Sequence, residues 1–531
     1  MLNGDPAKLS MPQRLQLIRQ MEGILKNDPK NPELWCNIGV LYAADERWEE
    51  AQKHYKKALS FRKNDPEILK RTVEAFTKPL ELVQARKYAR KLLDVAPRDP
   101  DSYLIYSDVL MKMGAADKSV ELLDRALKFM PGHLLILNHL AESYKNAGRT
   151  AEADAVYERI IEIDPYDAEA LYRRSHNHKF TKEEAEAIEP QLLISLERQQ
   201  HDEHRAAVLY GAGKVFQDCG EYEKAFDFFH RANELRLPKN NRRAFHEIAN
   251  AKAGFTQTFI ARRHGAGFGL ETDQPIFILG LPRSGTTLTE SICGAHSKIT
   301  AGDEQPYLGG LAKPLGMQTG NTALFVSRIE SITSAQSREM AEHYLEMTRM
   351  VHGTTPHFTD KMPHNFVRIG IIKLLFPNAK IIHCMRNPLD NAVSLYSNSM
   401  RPFHNQYKTD LKTLGLYYVQ YSNLMRHWHE LFPGAILDVY YEDMVVNTEL
   451  VARKMIDYLG LEWEDGVMDR QGSQRSVKTL SAWQVRQPVY TSSSGRWRHY
   501  ESQLQPLIDV IGPQVADYDR ALEALSGENR G

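Results

Sequence analysis

Along the first half of the chain, apolar positions recur on a 34-residue period. One copy aligns Trp35, Ile38, Gly39, Tyr42, Ala51, Tyr55 and Ala58. A second, 102 residues on, aligns Leu137, Leu140, Ala141, Tyr144, Ala153, Tyr157 and Ile160 at the same places. Two weaker copies between them keep Tyr103, Leu110, Leu123, Ala126 and Pro131 in register. The spacing predicts paired helices, with small residues at Gly39, Ala51, Ala58 and Ala126 letting partners approach. Pro32, Pro66 and Pro100 fall 34 residues apart, as do Pro97, Pro131 and Pro165. Because proline cannot continue a helix, these residues are expected to close each unit. A fifth unit begins at Ala168 and loses the pattern in the polar stretch 176–190. The pattern returns with Leu209, Ala212, Gly213, Phe216, Gly220, Ala225, Phe229 and Ala232.

This period resembles the tetratricopeptide repeat, two antiparallel helices per 34 residues. Such arrays commonly offer a concave surface to a peptide or partner, and they also serve as scaffolds or self-association contacts. Both readings stay open here. Composition then bounds the rest. At roughly 150 residues per domain, 531 residues suggest about three domains, but a solenoid lacks internal boundaries, so two regions are expected. Lys+Arg 67 against Asp+Glu 68 gives a net charge of −1, which argues against a nucleic-acid polymer as partner. A local basic pocket remains compatible with that balance. Cys36, Cys219, Cys293 and Cys384 make neither a disulfide framework nor a C-x-x-C pair. With no apolar leader and no stretch near 18 apolar residues, the expectation is a cytoplasmic protein without a membrane span.

The period changes after the glycine-rich stretch from His264 to Gln274. The expected organisation is a helical array over 1–262, a linker over 263–274 and a second domain over 275–531. That domain opens on a short, continuous apolar run (PIFIL) suited to a strand buried on both faces. Gly280-Leu281-Pro282-Arg283-Ser284-Gly285-Thr286-Thr287 follows, leading into a helical run. Strand, glycine-bounded loop and helix in that order form a phosphate cradle of backbone N–H groups. A triphosphate-binding loop needs Lys after its last glycine, and Thr286 stands there instead. Arg283 supplies a positive charge from within the loop.

With that loop, residues 273–510 resemble sulfotransferases that use 3′-phosphoadenosine 5′-phosphosulfate (PAPS). They are most similar to the tyrosylprotein branch and its bacterial relatives joined to tetratricopeptide repeats. The implied fold is a solenoid followed by a P-loop-like, three-layer α/β domain with a parallel sheet. The resemblance implies that Arg283, Ser284, Gly285, Thr286 and Thr287 hold the 5′-phosphosulfate. Residues 379–385 read as another buried strand, Arg386 ends it, and Ser394 lies about two turns into the next helix. In the family this Arg and Ser hold the 3′-phosphate, a fork and a neutral donor suited to an anion. Glu304, 21 positions after Arg283, matches the general base, although adjacent Asp303 allows a slip of one residue. Lys361 matches the family lysine that follows a strand and, with Arg283, would stabilise charge on the leaving phosphate. Asp360 would orient Lys361 or start the next turn, and His296 falls at its usual place.

Residues 437–444 resemble the family's late strand, with Tyr441 near the nucleotide. Residues 484–500 resemble a segment that covers the cofactor, where Tyr490 to Ser494 and Arg496 would make contacts. Two departures weigh against acidic tyrosine peptides as acceptors. Asn398 stands where tyrosylprotein members carry a basic residue, and Gln305-Pro306-Tyr307-Leu308-Gly309 replaces their basic residues after the glutamate. His352, His357, His364 and His383 match no ordinary zinc spacing, so no metal is expected. The expected activity is transfer of a sulfuryl group from PAPS to a hydroxyl, less readily an amine, releasing adenosine 3′,5′-bisphosphate. The acceptor is unidentified, and the array favours a macromolecule or a protein partner. The rivals are a small-molecule kinase with an altered loop and a repeat scaffold whose transferase domain is inactive.

Overall fold

The computed structural model describes residues 6, 9–79, 81–238, 242–263, 265–353, 355–468 and 494–528. The chain forms two compact units, Met1–Ala170 and Leu171–Gly531.

In the first unit, helix Met11–Leu25 precedes four helical hairpins. These are Pro32–Ala44 with Trp48–Phe61, Pro66–Thr77 with Leu82–Val95, Pro100–Lys112 with Ala116–Leu127, and Leu134–Asn146 with Thr150–Ile163. Each hairpin is closed by one recurring backbone bond. The N–H groups of Arg47, Glu81, Ala115 and Arg149 donate to the carbonyls of Tyr42, Phe76, Leu110 and Tyr144, at 3.0, 2.9, 2.9 and 2.8 Å. The residue that turns the chain is left-handed, Gly114 and Gly148 in two hairpins and Glu46 (φ 56°) in the first. Glu46 bears there a strain that glycine avoids. Asn31, Asp65 and Asp99 cap the first helix of their hairpins, accepting N–H bonds from Glu33 and Leu34, Glu67 and Ile68, and Asp101.

The prolines divide into two classes, which corrects the expectation that all of them close units. Pro32, Pro66 and Pro100 each occupy the first position of a helix, where a missing N–H costs nothing and φ is already helical. Pro97, Pro131 and Pro165 lie just beyond the second helices and do terminate them. Inside the hairpins the predicted small residues are contact points. A Cβ added at Gly39 would lie 2.6 Å from the Tyr55 ring, so only glycine admits that helix pair.

The second unit repeats this device. Helices Asp202–Asp218 and Tyr222–Glu234 pair with Gly213 against the Phe229 ring, at 2.4 Å for an added Cβ. Beyond them lies a five-stranded parallel sheet of order β2-β3-β1-β4-β5. Its strands are β1 (Pro275–Gly280), β2 (Ile299–Thr300), β3 (His357–Lys361), β4 (Lys380–Met385) and β5 (Ile436–Tyr440). Every residue of β1 is buried, as its continuous apolar run requires at a sheet centre. On one face Ile276, Ile278, Ile382, Cys384 and Val439 share a core with helices Thr286–Cys293 and Thr448–Tyr458. On the other, Phe277 packs on Phe376 and on Tyr344 of helix Ser334–His352, giving three layers.

The glycine-rich stretch before β1 lies on this unit. Leu270 N–H donates to the Leu375 carbonyl at 2.8 Å, and Gly269 (φ 70°) approaches that carbonyl so closely that a Cβ would sit 2.4 Å away. The 202–234 helix pair is held there too. Asn233, fully buried, donates to the Tyr396 carbonyl at 2.9 Å and accepts from Tyr210 Oη and Lys408 Nζ, each at 2.8 Å. Among the described residues, no helix is long and apolar enough to cross a membrane.

Candidate active site

In parallel sheets the strands' carboxyl ends open onto a crevice, and here they carry the candidate residues. β1 runs into Leu281–Gly285. Gly280 (φ 147°) and Gly285 (φ 99°) are left-handed, and so is Arg283 (φ 70°), where a side chain pays a conformational cost. A Cβ at Gly280 would lie 2.4 Å from the Cys384 carbonyl, and one at Gly285 would lie 2.8 Å from the Tyr441 ring. Glycine is therefore needed at both ends of the loop. Helix Thr286–Cys293 starts at once, with Thr286 and Thr287 buried in its first turn. Ser284 is 2% exposed, and its hydroxyl is buried without a hydrogen-bond partner among the described residues. Buried hydroxyls are nearly always satisfied, so one left unpaired at a helix N-terminus suits an anion that would accept from it.

Beside the loop, Arg283 Nε donates to Ser394 Oγ at 3.1 Å, and Arg386 Nη1 donates to the Arg283 carbonyl at 3.1 Å. The Arg386 guanidinium also lies 5.0 Å from the centre of the Tyr441 ring. Ser394 belongs to helix Pro388–Tyr396, which Asn387 caps by accepting from the N–H groups of Leu389 and Asp390. The strand expected over 437–444 ends at Tyr440, and Tyr441 instead opens helix Tyr441–Val446. Two positions not singled out in the sequence hold this wall. Asn391 donates to the Pro282 carbonyl at 3.0 Å, and Asp390 accepts from the N–H groups of Gly495 and Trp497 at 2.6 and 2.9 Å. Asp390 thereby fixes Arg496, at the start of the 3-10 turn Arg496–Tyr500, beside the Ser394 helix. Tyr490 lies outside the described residues. Ser494 is described, and its hydroxyl is buried without a partner among the described residues.

Lys361 ends β3 with its side chain fully buried among three carboxylates. Its Nζ is 3.0 Å from Asp303 Oδ1, 3.5 Å from Glu304 Oε1 and 3.9 Å from Glu290 Oε2. Burial pulls the ammonium's pKa down, but Glu290, Asp303 and Glu304 outweigh it and leave a net rise. The cation is thus retained. Glu290 comes from the cradle helix and was not anticipated. Its Oε1 accepts from Asp303 N–H at 2.9 Å and Thr359 Oγ1 at 2.7 Å. Burial raises the Glu290 carboxyl above the ordinary range, against the opposing pull of Lys361. The 303/304 doublet divides the work. Asp303, left-handed at φ 63°, also accepts Lys361 N–H on its carbonyl at 3.0 Å, so it is built into the corner. Glu304 meets Lys361 and, at 3.6 Å, Arg401, and its side chain keeps 27% exposure.

Asp360 does not orient Lys361. Strand alternation sends it to the other face, where Oδ2 accepts from Tyr344 Oη at 2.7 Å and Oδ1 from Asn365 Nδ2 at 3.3 Å. Burial lifts its carboxyl from 3.8 to about 7. A raised folded pKa favours the native state below the unfolded value, and the contribution is lost as pH rises through the folded one. Asp360→Asn is therefore expected to gain melting temperature relative to the parent between pH 4 and 7, with a constant difference above. Thermal melts across that range check this, and a flat difference would contradict it. His296 is structural, accepting from Lys298 N–H at 3.1 Å and pairing Nε2 with the Glu462 carbonyl at 3.0 Å. His364 pairs with buried Glu247 at 2.6 Å, and His357 with the Asp273 carbonyl at 3.1 Å.

A glycine-bounded strand–loop–helix turn at the centre of a parallel sheet, following helical hairpins of 34-residue period in the sequence, agrees with what the chain resembles. Residues 275–465 match the model of the sulfotransferase family, and residues 32–65 and 110–174 match tetratricopeptide-repeat models. The chain thus carries tetratricopeptide repeats and a sulfotransferase-family domain. An uncharacterized protein of Aquifex aeolicus is 31% identical over 462 residues, which are 85% of this chain and 59% of that protein. The chain therefore spans less than two thirds of that relative's length. Protein-tyrosine sulfotransferase 1 of Danio rerio is 23% identical over 333 residues, 59% of this chain and 86% of that one. Among solved structures, the sulfotransferase domain of the Synechococcus PCC 7002 olefin synthase is 20% identical. It covers 43% of this chain and 89% of its own, with a TM-score of 0.32.

Proposed function

We propose that the chain transfers a sulfuryl group from PAPS to a hydroxyl acceptor and releases adenosine 3′,5′-bisphosphate. The observation that carries this reading is the meeting of Arg283, Ser394 and Arg386 beside a cradle whose Ser284 hydroxyl is unpaired. Ser284, Gly285, Thr286 and Thr287 would hold the 5′-phosphate end, with Arg283. Arg386 and Ser394 would take the 3′-phosphate, and Tyr441, Tyr490 and Arg496 would line the nucleotide. PAPS supplies a sulfuryl group on a phosphate leaving group. The chain's own part is to accept the acceptor's proton at Glu304 and to hold Lys361 and Arg283 as fixed cations where charge develops. The two side chains of the doublet are similarly exposed, at 27% for Glu304 and 22% for Asp303, but Asp303 is tied to Lys361 through both its carbonyl and the nearer carboxylate, which leaves Glu304 the better base.

Residues 1–262 would serve as a partner- or acceptor-binding array, 263–274 as its connection, and 275–531 as the chemical domain. Relatives named protein-tyrosine sulfotransferase favour a protein acceptor. The free thiols of Cys36, Cys219, Cys293 and Cys384 suit a reducing, cytoplasmic setting. The kinase reading is disfavoured by Thr286, which occupies the position of the phosphate-binding lysine. The test is calorimetric titration with adenosine 3′,5′-bisphosphate. Binding by the parent chain, weakened by about 1.5–3 kcal/mol in Arg386→Ala as for other charged hydrogen bonds, is expected. No binding by folded protein, or equal binding by the variant, would overturn the reading.

A further inference from the structure

His383 on β4 and Asp438 on β5 are direct register partners, and His429 lies near the end of helix Leu411–Leu431, which reaches the same place. His383 Nδ1 is 2.7 Å from Asp438 Oδ1, and His429 Nε2 is 3.2 Å from that same oxygen. All three ligand atoms lie within 4.8 Å of one another. From this geometry we infer that His383, His429 and Asp438 form a binding site for a divalent transition metal of the zinc class. The site is separate from the cradle residues and from the chemistry proposed above. It also revises the expectation of no metal, which grouped His383 with histidines nearby in sequence rather than with His429 and Asp438.

Two imidazoles and one carboxylate form a borderline donor set, suited to zinc rather than to calcium or magnesium. A tetrahedral ion with bonds of about 2.0–2.1 Å sets its ligand atoms about 3.3 Å apart. The 2.7 Å gap between His383 and Asp438 would therefore widen, the 3.2 Å gap to His429 already fits, and the two imidazole nitrogens, within 4.8 Å of each other, would settle onto the ion. His383 is 2% exposed, whereas the side chains of His429 and Asp438 keep 36% and 32%, leaving a side from which an ion and a water can enter. The remaining nitrogen of His383 has its orienting partner. Nε2 pairs with the hydroxyl of Tyr421, two turns earlier on the His429 helix. That hydroxyl also receives a backbone bond from Leu281 of the cradle loop. A metal on Nδ1 would replace the proton shared with Asp438 and place the imidazole proton on Nε2, facing the Tyr421 oxygen.

The ion would brace two neighbouring strands and the helix across them. β4 leads directly into Arg386 and β5 into Tyr441, so the brace stands just behind two cradle residues. The experiment uses the untagged full chain, stripped with a chelator and titrated with zinc against a chromophoric competitor. Melting temperature is followed in parallel. One zinc per chain and a melting temperature that rises with zinc concentration are expected for the parent. His429→Ala, at a partly exposed position, should lose both effects while folding normally, and Tyr421→Phe should bind zinc about 10–100-fold more weakly. Zinc uptake by His429→Ala equal to the parent, or no uptake by the parent, would overturn the inference.

Discussion

On the proposed function, Glu304→Gln is expected to slow the acceptor-independent hydrolysis of PAPS by about 10²–10⁴-fold, the range for losing a positioned general base. Its affinity for adenosine bisphosphate should stay at the parent value, because Glu304 touches Lys361 and Arg401 and no cradle residue in the described contacts. Hydrolysis is the useful readout while the acceptor is unidentified, since water then takes the acceptor's place. Asp303→Asn is the companion variant. It removes the nearest partner of Lys361, so its expected defect includes a lower melting temperature. A Glu304→Gln chain that hydrolyses PAPS at the parent rate would end the assignment. Loss of rate in Asp303→Asn alone would move the base by one residue.

Lys361→Ala carries the second large effect, and it has two parts. Removing one preorganised donor to developing charge costs about 10²–10³ in turnover. Removing the only cation within 4 Å of Glu290 in the described structure leaves that buried carboxyl with hydrogen bonds from Asp303 N–H and Thr359 Oγ1 but no positive charge beside it. Breaking a buried pair in this way costs about 3–5 kcal/mol of stability. Lys361→Arg separates the parts. It keeps the charge and most of the stability but cannot place it at the same point, because the side chain is fully buried and a guanidinium is larger and planar. Melting temperature and hydrolysis rate, measured on both variants, read the two contributions. A stable Lys361→Ala chain with unimpaired turnover would remove Lys361 from the chemistry.

Much of this site was legible because its residues sit in short local patterns. Strand, glycine loop and helix follow one another within the sequence from Pro275 to Cys293, and backbone geometry alone makes that order a cradle. The 34-residue period exposed the hairpins for a similar reason, since each copy repeats the same close contact, as Gly39 on Tyr55 and Gly213 on Phe229. What stayed hidden depends on elements far apart in the chain. Glu290 is one of several polar residues in the threonine-rich helix Thr286–Cys293, and its role appears only when β3 brings Thr359 and Lys361 against it. Asp390 reads as a helix-start acid until Gly495 and Trp497 arrive 105 and 107 residues later. The prolines were visible, but spacing alone does not say whether a proline precedes or follows a helix.

The sequence by itself determined the repeats, the cradle and the set of cations available to an anionic ligand, because periodicity, glycine placement and strand-loop-helix order are local properties. Tertiary structure decided which carboxylate of the doublet is tied to Lys361 through both backbone and side chain and which meets it only through the side chain. It also engaged Asp360 with Tyr344 and Asn365 rather than with Lys361, and put His383 beside His429 and Asp438. The reason is strand alternation combined with parallel pairing. Neighbouring residues on a strand face opposite layers, and parallel strands meet only after a long crossover.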